Sequence, residues 1–307
     1  MTRSAFLFPG QGSQAVGMGK RFSEHSSLAR ELFVRADQIL GYGISRLCFE
    51  GPDEELRLTQ NTQPALLLVS TAAFRLLGKE PAMAAGHSLG EYSALVAAGS
   101  LRFDDAIRLV HQRGRYMQEA VPVGQGAMAA ILGMSYEDLS QVLSRVRSGV
   151  VQIANWNSQE QLVIAGHKQA VEEALKTAKP PRSVMLPVSA PFHSALMKRA
   201  EERLAVDLDN VEFKDLTFPI VTNVDARIIR TGEEARDSLK RQVSRPVLWY
   251  KSMELFGREK IDAFVELGAG KVLTGLIKRI GRSWPHPFTT WNIEDPDSLE
   301  KTRASLF

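Results

Sequence analysis

Residues 86–90, Gly-His-Ser-Leu-Gly, have the types and spacing of a nucleophilic serine site. Apolar residues 82–85 predict a strand before them, and residues 91–98 predict a helix after them. In a nucleophile elbow, a sharp strand-to-helix turn exposes the serine hydroxyl, and glycines on either side avoid collisions. Backbone N–H groups near the helix start can then bind a developing oxyanion. The alternative is a glycine-rich turn in which Ser88 is incidental.

His193 and Arg113 are the residues that could act with such a serine. His193 lies just before a predicted helix over residues 195–208, where it can face a cleft, and serine followed by histidine is the chain order of hydrolases built on this elbow. Arg113 falls within the apolar arc of a predicted helix over 103–120. Because burying an unpaired guanidinium is costly, Arg113 forms either a structural ion pair or a fork for a substrate carboxylate.

Length, composition and charge exclude several classes of protein. The 307 residues suggest about two domains. A net charge of +3, from 38 basic and 35 acidic residues, is too small to indicate nucleic-acid binding. The single cysteine, Cys48, excludes a disulfide framework and fits a reducing compartment. Without a membrane-length apolar run, a signal peptide or metal-ligand spacing, we expect a cytoplasmic protein with no membrane contact and no metal.

Residues 124–189 predict a small inserted domain within a larger α/β domain formed by residues 1–123 and 190–307. The order β-α-β-β-α-β in this segment is that of a ferredoxin-like unit. The strands are predicted at 127–132, 150–154, 161–165 and 184–188, with helices at 136–147 and 167–179 and a polar turn at 155–158.

Six motifs occur in the order of one known family. They read FPGQGSQ at 8–14, NTQPA at 61–65, GHSLGE at 86–91, QRG at 112–114, FHS at 192–194 and GKVL at 270–273. On these motifs the chain resembles malonyl-CoA:acyl carrier protein transacylases of bacterial fatty acid synthesis, and it is similar also to acyltransferase domains of polyketide synthases. The resemblance implies an α/β-hydrolase-like large domain with a parallel sheet core and a ferredoxin-like insert.

The resemblance also implies a catalytic site. Ser88 would be the nucleophile, and His193 would be its general base and acid. The backbone carbonyl of Gln242, in place of an aspartate, would orient the imidazole. Backbone N–H groups of Gln11 and Leu89 would form the oxyanion hole.

The implied substrate pocket explains selectivity for a malonyl group. Arg113 would bind the malonyl carboxylate and Gln63 would line the pocket, while Phe192 would leave less room for an α-methyl group. The implied substrates are malonyl-CoA and the phosphopantetheine thiol of acyl carrier protein, joined through a malonyl-serine intermediate, with no cofactor. We expect a monomer.

Other interpretations stay open from the sequence. A discrete polyketide acyltransferase, a serine esterase or thioesterase, and a non-catalytic carrier-binding scaffold could all retain the elbow. The turn at 268–271 resembles an anion-binding helix start, although an ordinary helix entry explains it as well. Candidates for docking an acidic carrier protein are Lys198, Arg199, Lys278 and Arg279.

Overall fold

The computed structural model describes residues 2–188 and 190–306, and their strands form two sheets. The strands are β1 (Ser4–Phe8), β2 (Met83–Gly86), β3 (Gly126–Leu132), β4 (Val151–Ser158), β5 (Gln161–His167), β6 (Arg182–Met185), β7 (Ile220–Val221), β8 (Ile228–Ile229), β9 (Ala263–Leu267) and β10 (Thr289–Ile293).

Fourteen α-helices surround the sheets in the described part of the chain. They are α1 (Lys20–His25), α2 (Ser27–Leu40), α3 (Ile44–Glu50), α4 (Asp53–Leu56), α5 (Thr59–Leu77), α6 (Gly90–Ala97), α7 (Phe103–Glu119), α8 (Tyr136–Leu143), α9 (Lys168–Ala178), α10 (Lys198–Asp209), α11 (Gly232–Gln242), α12 (Trp249–Arg258), α13 (Val272–Ile280) and α14 (Pro296–Leu306). Short 3₁₀ turns cover Ala195–Met197 and Gly281–Ser283.

The larger sheet has the strand order β10-β9-β1-β2-β7-β8 and is parallel except at the β7–β8 pair. Every residue of β1 and β2 is buried, as expected for central strands covered by helices on both faces. The smaller sheet, β4-β5-β3-β6, is antiparallel throughout and carries α8 and α9. The predicted α/β fold, with a parallel sheet core and a ferredoxin-like unit, is therefore confirmed.

The boundaries assigned to the insert are not settled by this topology. All four strands of the smaller sheet lie within the predicted segment 124–189. Ser189, its predicted last residue, lies outside the described residues, so the division of the chain stays a prediction. None of the helices in residues 2–188 and 190–306 combines the length and apolar character needed to cross a bilayer.

Helix α5 contains a proline in its first half. It begins at Thr59 and continues through Pro64, which has no N–H to bond the carbonyl of Gln60 one turn earlier. The ring of His111, on α7, donates from Nδ1 to that carbonyl at 3.0 Å. The half-buried His111 thus replaces the backbone donor that proline lacks.

The polar residues 155–158 were predicted as a turn, and this prediction was wrong because they lie in β4. The backbone of this stretch pairs with a neighbour distant in sequence: Trp156 N donates to the Val247 carbonyl and Val247 N donates to the Ala154 carbonyl, both at 2.9 Å. Asn155 and Asn157 are buried despite their polarity. These polar residues are buried where β4 contacts the segment that carries Val247. A buried strand of this polar composition therefore resembles a turn in the sequence.

Helices α2 and α12 were not predicted, although their sequences carry the signal. The buried residues of α2 are Ala29, Leu32, Phe33 and Ala36, which have helical spacing. Those of α12 include Trp249, Met253 and Phe256, which have the same spacing. Helix α12 follows Val247 directly and helps to join the two sheets.

Candidate active site

Ser88 lies at the tip of a turn between β2 and α6. Its φ of 51° is in the left-handed region, which a side chain other than glycine adopts under strain. A Cβ on Gly86 would overlap the backbone of Gly90, and a Cβ on Gly90 would overlap the carbonyl of Phe8. Both glycines are therefore required by close backbone packing, and the turn has the geometry of a nucleophile elbow.

The His193 ring meets this serine across the site. Its Nε2 lies 2.7 Å from the Ser88 Oγ, and its Nδ1 lies 2.9 Å from the Gln242 carbonyl oxygen. Because a carbonyl only accepts hydrogen bonds, Nδ1 carries the proton and Nε2 presents its lone pair to the serine hydroxyl. Burial and the positive charge of Arg113 lower the pKa of His193 to about 3, which keeps the ring neutral.

Arg113 points inward as predicted and is only 1% exposed. Its Nη1 donates to Gln63 Oε1 at 2.8 Å, and its Nη2 donates to Gln242 Oε1 at 2.8 Å and to Ser88 Oγ at 3.1 Å. All three acceptors are uncharged, so these contacts are not the structural ion pair that the sequence left open. The Arg113 Nε is buried without a hydrogen-bond partner among the described residues, and the guanidinium lies 5.5 Å from the centre of the Tyr92 ring.

Glu91, Asn223 and the side chain of Gln242 belong to the site but were missed by sequence reasoning. The fully buried Glu91 accepts hydrogen bonds from Gln242 Nε2 and Ser238 Oγ at 2.8 Å and from Asn223 N at 3.0 Å. Burial raises the pKa of Glu91. An acid in the first turn of a buried helix after the elbow was a usable signal for Glu91. Asn223 follows a two-residue strand, and no pattern in the sequence pointed to it.

The side chain of Asn223 forms hydrogen bonds with the backbone of the elbow. Its Oδ1 accepts from Ser88 N at 2.6 Å, and its Nδ2 donates to the Gly86 carbonyl at 2.6 Å. These bonds satisfy backbone groups that the sharp turn removes from the sheet. The strained turn is thus held by a side chain from the loop that follows β7.

The predicted oxyanion donors lie on neighbouring strand ends. Strands β1 and β2 are adjacent and parallel, with Phe8 opposite Gly86, so the loop carrying Gln11 and the elbow carrying Leu89 leave the same sheet edge. Gly10 approaches so closely that a Cβ there would overlap the His87 carbonyl. Neither the Gln11 N–H nor the Leu89 N–H donates to a protein acceptor in the described part of the chain.

The remaining predicted pocket residues, Gln63 and Phe192, differ in whether they contact Arg113. Gln63 is buried and bonded to Arg113, and its Nε2 lies 3.8 Å from the Met117 sulfur. Phe192 is 8% exposed and belongs to the main hydrophobic core beside His193. Gln63 therefore contacts the guanidinium directly, whereas Phe192 packs in the hydrophobic core next to His193 in sequence.

His87, next to the nucleophile in sequence, points away from the Ser88 hydroxyl. Its Nε2 bonds Asn157 Oδ1 at 2.9 Å, and its ring lies 5.4 Å from that of Trp249. Burial lowers the pKa of His87. Its hydrogen bond to Asn157 joins the elbow to strand β4.

The turn at residues 268–271 is an ordinary helix entry. The buried Glu266 carboxylate accepts from Leu273 N at 3.0 Å and from Thr274 N at 2.7 Å, so it already fills the N-terminus of α13. No group of three or more His, Cys, Asp or Glu side chains within residues 2–188 and 190–306 is arranged to hold a metal.

A mostly parallel sheet with a serine elbow and an adjacent neutral histidine is typical of enzymes that form an acyl-serine ester, a class that includes acyltransferases and hydrolases. The family described as "Acyl transferase domain" matches residues 5–294. Malonyl CoA-acyl carrier protein transacylase of Escherichia coli (strain K12) is 50% identical over 288 residues, which cover 91% of this chain and 93% of that protein. The chain belongs to the malonyl CoA-acyl carrier protein transacylase family of acyltransferases.

Two solved structures agree closely with this fold. The malonyl CoA-acyl carrier protein transacylase from Coxiella burnetii superposes with a TM-score of 0.95 at 39% identity and covers 99% of this chain and 98% of its own. A malonyl-transacylase described in complex with a type II polyketide synthase acyl-carrier protein superposes with a TM-score of 0.94 at 42% identity and covers 99% of both chains.

Proposed function

We propose that this protein transfers the malonyl group of malonyl-CoA to the phosphopantetheine thiol of acyl carrier protein, through a malonyl-serine intermediate, for fatty acid synthesis. The observation that carries the proposal is the surroundings of the Ser88 oxygen, which has His193 Nε2 at 2.7 Å and Arg113 Nη2 at 3.1 Å. A hydrolase of neutral esters has no use for a buried cation at this oxygen. An enzyme whose acyl group carries a free carboxylate needs such a cation, because the guanidinium can bind that carboxylate.

The first half-reaction acylates the enzyme. His193 Nε2 takes the proton of the Ser88 hydroxyl, and Oγ attacks the thioester carbonyl carbon. The N–H groups of Gln11 and Leu89 bind the oxyanion. When the oxyanion collapses, the carbon–sulfur bond breaks and the CoA thiolate takes the proton from His193. The product is a malonyl-serine ester with a neutral histidine.

The second half-reaction regenerates the serine. The carrier thiol gives its proton to His193, and the resulting thiolate attacks the ester carbonyl. Collapse of this second oxyanion breaks the bond to Ser88 Oγ, which takes the proton back from His193. Donor and acceptor use the same site in turn, so the kinetics are ping-pong. His193 carries the proton in both half-reactions, the backbone N–H groups bind the oxyanion and Arg113 binds the malonyl carboxylate, and we propose that no cofactor takes part.

Arg113 supplies the selectivity for a malonyl group. In the free enzyme its guanidinium is held by neutral oxygens of Gln63, Gln242 and Ser88, and Nε has no partner in the described structure. A malonyl carboxylate provides the buried cation with a charged, two-oxygen acceptor. An acetyl group cannot, and it leaves the guanidinium without a counter-charge. Phe192 would restrict an α-methyl group.

The carrier protein is proposed to dock through basic groups near the site. Lys198 is exposed but paired with Glu201, and Arg279 donates to Gln161. The polyketide carrier complex among the similar structures favours a second candidate acceptor of the same chemistry, a polyketide acyl carrier protein. We further propose a cytoplasmic monomer.

Incubation with malonyl-CoA tests the function. We expect one malonyl group to be added to the intact chain, to map to Ser88, and to be discharged when a phosphopantetheinylated carrier protein is added. Fatty acid and polyketide carriers, compared at equal concentration, identify the acceptor by the larger kcat/KM. Rapid release of malonate without a carrier would indicate a hydrolase, and the absence of any adduct would indicate a scaffold.

The activity should be insensitive to mild acid. Because burial and Arg113 hold the pKa of His193 near 3, the base stays neutral, and kcat/KM should be flat from about pH 8 to about pH 5. An ordinary histidine would lose activity below about pH 6.5. The folded state also binds fewer protons than the unfolded state here, so the free energy of unfolding should fall as the pH drops below about 6.5.

The pH profile of presteady-state acylation at constant ionic strength measures this effect. Arg113→Ala serves as the comparison, because removing the positive charge should raise the pKa of His193 and move the acidic limb to higher pH. A wild-type limb near pH 6.5 would contradict the proposed state of the base.

A further inference from the structure

The fully buried carboxylate of Glu91 has no part in the proton transfers proposed above. It receives three hydrogen bonds, from Gln242 Nε2, Ser238 Oγ and Asn223 N, at 2.8 to 3.0 Å. Three converging donors suit a carboxylate, which only accepts hydrogen bonds. Such a group is costly to bury and therefore needs an explanation.

The side chain of Gln242 connects Glu91 to the substrate-binding cation. Its Nε2 donates to Glu91 Oε2 at 2.8 Å and to the Ser88 carbonyl at 3.0 Å, while its Oε1 accepts from Arg113 Nη2 at 2.8 Å. The same residue offers its backbone carbonyl to His193. Gln242 is therefore the one described residue bonded to the base, the nucleophile's backbone and the guanidinium.

The Glu91 carboxylate contributes to fixing the orientation of this amide. An amide can present either its oxygen or its nitrogen to a neighbour. The Glu91 carboxylate and the Ser88 carbonyl both accept from the nitrogen, and the oxygen accepts from Arg113. If the amide turned over, its N–H groups would point at the guanidinium and its oxygen at the carboxylate, so that both contacts would become repulsive.

We propose that Glu91 is a positioning residue that locks the Gln242 amide and thereby holds the Arg113 guanidinium in the orientation that receives the malonyl carboxylate. This inference rests on the proposed malonyl transfer. The order carboxylate, amide, guanidinium polarises the amide in the direction that strengthens both of its hydrogen bonds.

Two substitutions at position 91 separate positioning from a general structural role. Glu91→Ala removes the acceptor for Gln242, and we expect the KM for malonyl-CoA to rise about 10-fold and the malonyl-to-acetyl ratio of kcat/KM to fall about 10-fold. Glu91→Gln keeps the acceptor, because its Oε1 can accept from Gln242 and Asn223 while its amide nitrogen donates to Ser238 Oγ. It should restore both quantities to within about 3-fold of wild type.

Rates are divided by the fraction of Ser88 that is acylated at saturating malonyl-CoA, so that misfolded enzyme does not enter the comparison. If Glu91→Ala does not fold, Glu91→Asp takes its place, since its shorter side chain withdraws the carboxylate from Gln242 and should change KM and the ratio in the same direction. Unchanged KM and ratio, a loss confined to kcat, or a Glu91→Gln enzyme as impaired as Glu91→Ala would overturn the proposal. Failure of the function itself would look different, because wild type would form no malonyl adduct.

Discussion

Ser88→Ala is expected to abolish the malonyl adduct and to lower kcat for malonyl transfer by about 10⁴-fold or more. The hydroxyl oxygen contacts both the His193 ring and the Arg113 guanidinium, and its loss removes the atom proposed to form the acyl ester. Intact-mass measurement after exposure to malonyl-CoA, together with the rate of carrier malonylation, measures both effects.

Ser93→Ala is the matched control for this substitution. Ser93 lies on α6, five residues after the nucleophile, and is also buried, but its hydroxyl has no hydrogen-bond partner among the described residues. Its removal should leave both adduct and rate close to wild type. A Ser88→Ala enzyme that still accumulated one malonyl group per chain would place the nucleophile elsewhere.

Arg113→Ala is expected to lower kcat/KM for malonyl-CoA by about 10³-fold and that for acetyl-CoA by no more than about 10-fold. Truncating one partner of a buried charge pair costs about 2–5 kcal/mol, and each 1.4 kcal/mol corresponds to about 10-fold. In the proposed malonyl complex the substrate carboxylate and the guanidinium would form such a pair, whereas an acetyl group could form none. Parallel acylation assays with the two thioesters give the ratio directly.

Two other arginine variants sharpen this test. Arg113→Lys keeps the positive charge but loses the planar fork, so its malonyl preference should fall between those of wild type and Arg113→Ala. Arg115→Ala changes the exposed arginine two residues away, which pairs with Glu119, and should leave the preference unaltered. Equal losses with malonyl-CoA and acetyl-CoA in Arg113→Ala would assign the guanidinium a structural role.

The site combines a neutral base with a permanent cation at one serine oxygen. These two groups remain compatible because burial and the nearby guanidinium both lower the pKa of His193, and the Gln242 carbonyl fixes the proton on the far ring nitrogen. An imidazolium in the resting enzyme would repel Arg113 and could not accept the serine proton. The positive charge of Arg113 therefore disfavours a protonated His193, except while a substrate oxyanion or carboxylate is bound in the site.

Local sequence determined the elements that depend on short spacing. The glycines at 86 and 90 predicted the elbow, because a Cβ at either position would collide with backbone. Helical periodicity placed Arg113 on the inward side of α7, since the direction of a side chain on a helix follows from its position in the repeat. The elbow and the chain order made Ser88 and His193 candidates from the residues alone, whereas the oxyanion donors came from the resemblance, and all of these roles stay proposals.

The tertiary structure alone decided features that depend on contacts between distant residues. Helix α5 continues through Pro64, where His111 supplies a donor from another helix, and residues 155–158 extend β4, where the backbone pairs both with β5 and with Val247. Glu91 and Gln242 are 151 residues apart, and no local pattern announces that their side chains meet. Spacing along the chain fixes which way a side chain points, but the hydrogen-bond partner of a buried group is fixed only when the fold brings both groups out of water together.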